Sequence, residues 1–219
     1  MLLHLSKLPD VLSDSVPCKE NDIHTIEDID LGNCPLTWPQ QAQQYKQANT
    51  FAAIYTSALS PSITHERKSM QHTTLHCLSQ APEVEISTHR QIRRAGIHIP
   101  AASAWLLHAA PRILKFCNSK ELYHGNLEWR SWLGGSDGGK CLWSGDEGFS
   151  VERWVFWKHR FGVVVGLGRR GFASRVVDDV VGCARRAGKV MREVEQEDGF
   201  AVDGVLGLFG RDDVSSLVL

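Results

Sequence analysis

The chain has 219 residues, of which 42% are apolar and 22% charged. That is ordinary globular usage and excludes a chain too polar to bury a core. Lys and Arg number 24 against 25 Asp and Glu, for a formal net charge of −1. The balance argues against a dedicated nucleic-acid binder, which carries a marked basic excess.

Residues 1–36 hold seven acids (Asp10, Asp14, Glu20, Asp22, Glu27, Asp28 and Asp30) and two lysines. They lack a long apolar period and read as an acidic, loosely ordered arm, with at most a short helix near residues 2–12. Over residues 38–59, Trp38, Ala42, Tyr45, Ala52, Tyr55 and Leu59 recur at helical spacing, with glutamines on the opposite face. A second helix is expected over residues 62–79, ending before Pro82. Residues 99–110 are apolar almost all round, the composition of a helix in the middle of a bundle, and their alanines admit close neighbours. Pro111 is expected to bend or end that helix, with a continuation through Ile113, Leu114 and Phe116 as the other course.

Residues 118–149 are rich in glycine and hold Trp129, Trp132 and Trp143. They read as a long loop pinned to the helices by buried indoles. Ser150 is suited to an N-cap, and Trp154, Trp157, Phe161 and Val164 follow at helical spacing. The last helix is expected over residues 173–197, with valines and alanines on one face and arginines on the other. The fold class that follows is all-α, an irregular bundle of about five helices. It would occupy residues 37–198, between the arm (1–36) and an irregular tail (199–219), both flexible. Its core should include Trp105, Trp154, Trp157, Phe161 and Val180.

Two segments carry a resemblance. Ile97-His98-Ile99-Pro100-Ala101-Ala102-Ser103-Ala104-Trp105 is similar to a pattern of an apolar pair, Pro-Ala-Ala and then Trp. Gly148-Phe149-Ser150, leading into Trp154-Val155-Phe156-Trp157, is similar to a Gly-Phe-Ser start of a Trp-x-x-Trp helix. Together they resemble a fungal family known as a domain of unknown function, number 3632, over residues 95–197. The long helix ending in Met191 also fits it. The resemblance implies a mainly helical fungal protein and carries over no catalytic residue. Gly166, Gly168 and Gly171 interrupt the family's continuation of the aromatic helix.

The motifs that suggest chemistry each lack their context. Gly166-Leu167-Gly168-Arg169-Arg170-Gly171 has dinucleotide-binding spacing, but a strand must precede it and here a Trp-rich helical pattern does. Gly134-Gly135-Ser136-Asp137-Gly138 has nucleophile-elbow spacing without a strand before it or a helix after it. His72 and His76 stand one helical turn apart without a third ligand nearby. The six cysteines are scattered, with no C-x-x-C pair, and read as reduced core residues. No catalytic, cofactor or metal residue is therefore assigned.

The residues best suited to line a pocket or contact are His98, Trp105, His108, Trp129, Trp132, Trp143, Trp154 and Trp157. The longest apolar run, residues 97–107, falls short of the ~18 needed for a spanning helix. The first ten residues lack the basic start of a secretory signal. The expectation is an intracellular protein of the cytoplasm, with the nucleus left open, non-catalytic and acting through a protein partner. It would bind neither membrane nor nucleic acid. The alternative is a small-molecule binder or accessory enzyme of a fungal secondary-metabolite pathway.

Overall fold

The computed structural model describes residues 38–60, 64–86, 89–121, 141–167 and 175–199. The expected arm, the tail after residue 199, Trp129, Trp132 and the Gly134–Gly138 motif lie outside the described residues. Within them are five helices: α1 (Trp38–Ala58), α2 (Thr64–Gln80), α3 (His89–Asn118), α4 (Val151–Leu167) and α5 (Arg175–Glu197). The only β pairing among the described residues is an isolated bridge between Val84 and Cys141. The fold is all-α.

Helix α3 is the axis on which the other four pack. Tyr45 meets His98, Asn49 meets Trp105 and Leu59 meets Arg112. These pairs ascend together, so α1 and α3 run parallel. Ser103 meets Cys183 and Asn118 meets Asp198, so α5 is parallel to α3 as well. Helix α2 runs the other way: Arg67 reaches Glu121, and Gln80 meets Arg94. Helix α4 descends beside α5, with Trp154 at Glu195 near one end and Val164 beside Val180 near the other. The alanines do what their size suggests. Ala101 and Ala102 on α3 and Ala184 and Ala187 on α5 are all buried, and Ser103 Oγ donates to the Cys183 carbonyl at 3.0 Å.

The start of α3 differs from the sequence expectation, and at Pro111 the continuation is the course taken. The helix begins at His89, two turns before the apolar run, and it continues through both Pro100 and Pro111 to Asn118. A proline inside a helix costs about 3 kcal/mol. Beyond Pro111, however, Ile113, Leu114, Phe116 and Cys117 are all buried. Each such side chain recovers about 1.5–3 kcal/mol, so packing outweighs the break.

Helices α1 and α2 hold several Thr and Ser residues that disfavour helix in isolation. Here Thr56 Oγ1 donates to the Ala52 carbonyl, Thr74 Oγ1 to Met70 and Ser79 Oγ to Leu75. Each buried hydroxyl is thereby satisfied inside its own helix. At α4, Ser150 Oγ accepts from the Arg153 amide at 3.1 Å, as an N-cap should. The Glu152 carboxyl is held below the usual range mainly by its own backbone N–H, against partial burial, and further by Ser150 and Lys120. Ser150→Ala is expected to cost about 1 kcal/mol. A urea titration checks this as a lower midpoint at unchanged slope.

Trp105, Trp154, Trp157, Phe161 and Val180 are all in the core, as the periodicity requires. No described helix is long and apolar enough to cross a membrane.

Candidate functional site

The most concentrated polar chemistry in the interior is an ion pair, Glu83–Arg153, with each side chain 1% exposed. Glu83 sits just past the end of α2, where Pro82 prevents further helix. Arg153 is in the first turn of α4. Arg153 Nε donates to Glu83 Oε1 at 2.6 Å and Nη2 to Oε2 at 2.8 Å, a bidentate fork. Nη2 also donates to Ser79 Oγ at 3.0 Å, and Nη1 to the Gly148 carbonyl at 2.9 Å. Trp157 Nε1 donates to Glu83 Oε1 at 2.6 Å. The backbone joins in, since the Leu142 amide donates to the Glu83 carbonyl at 2.8 Å.

Aromatic rings enclose this pair. The guanidinium carbon lies 5.6 Å from the ring centroids of both Trp143 and Trp157. Phe149 meets Trp157 edge-on and Phe116 at a tilt, and Phe156 packs on Trp143. Trp143 folds back over Gly145 so closely that a Cβ there would collide with the indole. Gly148, at φ 90°, turns the chain toward α4 in a conformation that side chains disfavour. Two turns beyond Arg153 along α4, Arg160 donates to the carbonyls of Pro82 and Val84. Burial works against its charge and Glu85 supports it.

Every ionic group at this point is consumed by its neighbours. Glu83, Arg153 and Trp157 bind one another. The arrangement clamps three separate pieces together: the segment after α2, the segment before α4 and α4 itself. Trp143 packs on Phe156 and Arg153 of α4 and so holds residues 141–149 to that helix.

A second polar group lies where α1, α2 and α3 meet. His98 stands edge-on to Tyr45 at 5.4 Å, and its buried Nδ1 has no hydrogen-bond partner. His72 and His76 rings are 6.3 Å apart. Burial, then His72 and Arg94, depresses His76 to about 4. Burial, then Arg94 and His76, depresses His98 to about 3. Burial also pushes the Tyr45 hydroxyl and the Cys77 thiol well up, and does the same to Cys117 beside Arg153. These thiols stay protonated and are poor nucleophiles. Among the described residues no three His, Cys, Asp or Glu side chains converge as metal ligands.

Six of the sequence-selected residues are among the described ones, and of these Trp143 and Trp157 come together at Arg153 while His98, Trp105, His108 and Trp154 lie elsewhere. Trp105 donates to Asn49 Oδ1 at 2.8 Å in the core. Trp154 donates to Glu195 Oε1 at 2.7 Å, where Lys158 pairs with the same carboxylate. Trp157 and Trp143 serve the clamp, the latter also donating to the Asp146 carbonyl. His98 is at the α1–α3 contact and His108 is exposed on α3. Residues 163–165 are helix, so the strand that a dinucleotide turn at 166–171 requires is not there. Glu83, Arg153 and Glu195 were not among the sequence candidates. The available signal was that each buried indole N–H needs an acceptor.

The class defined by this fold is an all-α bundle locked by a buried ion pair. The chain belongs to the family described as "Protein of unknown function (DUF3632)", whose model matches residues 14–161. The match corrects the extent read from the sequence: it covers the N-terminal and middle parts and stops within α4, instead of running over residues 95–197. No curated protein and no solved structure matches the chain.

Proposed function

We propose that the protein is intracellular and non-catalytic, and that it acts through a protein partner held on the outer face of its helices. The observation behind this reading is the contrast between interior and exterior. Inside, the clamp consumes its charged groups. Outside, Phe51 and Ile54 stand one turn apart on α1, 59% and 49% exposed, and Leu107 on α3 is 42% exposed. Phe51 also stacks on Tyr55, so the apolar surface on α1 is ordered. A patch of this kind is suited to contact with another protein. The test is a Phe51→Asp/Ile54→Asp variant of the full chain. It should melt like the wild type and lose a partner that copurifies with the wild type. Turnover of a small molecule by the purified wild type would overturn the reading.

A second reading, a small-molecule binder or accessory protein of a fungal biosynthetic pathway, draws on one observation. Ile86, Ile92, Ala95, Val164, Leu167 and Val180 line a small apolar cleft between α3, α4 and α5. Stabilisation of the wild type, but not of an Ala95→Phe variant, by an apolar metabolite would support it. No thermal shift from any member of a metabolite panel would remove it.

A further inference from the structure

Charge is segregated along this nearly neutral chain. Residues 1–36 carry seven carboxylates against two lysines. Helices α1–α3 carry eight Lys and Arg and one carboxylate, Glu66; α1 and α3 have no acid at all. Glu121, just past α3, is already held by Arg67 through both oxygens at 2.9 Å. Lys46, Lys68, Arg93 and Lys115 make no ion pair with a described carboxylate. Lys46 and Arg93, near the starts of α1 and α3, and Lys68 and Lys115, at the opposite end of the three helices, are therefore cations that these helices leave unneutralised.

We propose that the acidic N-terminal segment, residues 14–37, docks in the same molecule on the cationic end of the bundle, the one that holds Lys46, Arg93 and Arg94. Three observations carry this. The first is sign: the segment is acidic where that end is basic, and attraction of this kind acts within about 10 Å at 0.1 M salt. The second is position. The segment ends at Trp38, where α1 starts, and the parallel course of α1 and α3 puts Arg93 and Arg94 at that same end. At about 3.3 Å per extended residue, ten residues reach some 33 Å, about the length of α1. Glu20, Asp22, Glu27, Asp28 and Asp30 are all within reach. The third is the family match, which begins at residue 14 and so joins six of the seven acids to α1–α3 in one unit. The inference does not rest on the partner proposed above; docking would hold with or without one.

Hydrogen exchange of the full chain tests it. At 20 mM salt, amides in residues 14–37 should exchange about tenfold or more slower than an unstructured reference. The protection should vanish at 500 mM salt. It should also vanish in Lys46→Glu/Arg93→Glu, and in a variant with Asp22, Glu27, Asp28 and Asp30 changed to their amides, while α3 keeps its own protection. Exchange at the reference rate in low salt would overturn the proposal. So would protection indifferent to salt and to both variants, which would mean apolar packing. Protection that falls on dilution would also overturn it, by assigning the contact to a second copy.

Discussion

Glu83→Ala is expected to cost about 3–5 kcal/mol, because it leaves the Arg153 guanidinium buried without a counter-charge. In a chain of this size that lowers the melting temperature by roughly 6–20 °C. Arg153 would keep only Ser79 Oγ, the Gly148 carbonyl and two indole faces, and Trp157 would lose its acceptor. Arg153→Met should cost a similar amount by stranding the carboxylate. The double variant Glu83→Ala/Arg153→Met should cost much less than the two together. Its residual penalty, about 1–3 kcal/mol, comes from the unpaired Trp157 N–H. Chemical denaturation of the four proteins reads the coupling. Additive losses, or single variants as stable as wild type, would show that the pair is not the clamp described above.

Acid is expected to destabilise the protein before its carboxylates protonate. His76 and His98 are held at about 4 and about 3 in the fold, against an ordinary value near 6.5. Below pH 6.5 the unfolded chain binds protons that the folded chain refuses, so stability falls with pH. It is full above about pH 7 and declines until pH passes below the folded values. At pH 5 the loss is up to about 2 kcal/mol for each imidazole. The groups that set these values are Tyr45 from α1, His72 and Cys77 from α2, and Arg94 from α3. Urea titrations at pH 8 and pH 5 measure the difference. A His76→Gln/His98→Gln variant should lose most of this dependence while keeping its helices. An unchanged acid limb in that variant would assign the effect elsewhere.

Both effects arise from contacts between residues distant in the chain, and this explains what was legible beforehand. The five helices were readable because oily side chains return at 3.6-residue spacing, which depends on neighbours a few positions apart. Ser150 was readable as a cap for the same reason. The early start of α3 also has a local signal, the capping-box spacing of Thr88-His89-Arg90-Gln91, although Gln91, Ala95 and Ile97 are buried only through their neighbours. At Pro111 the sequence leaves two courses open, a bend or a continuation, because local geometry argues one way and distant burial the other.

Candidate site residues divide along the same line. The indoles of Trp105, Trp143, Trp154 and Trp157 were conspicuous by type, yet nothing local says that each donates to a different acceptor. Glu83 and Arg153 are 70 positions apart and look like two ordinary charged residues. The sequence by itself determined where the helices lie, which faces are oily, and that acidic and basic residues are segregated along the chain. Only the tertiary structure decided which charges are buried together, because a charge enters the interior only where a partner from elsewhere in the chain meets it.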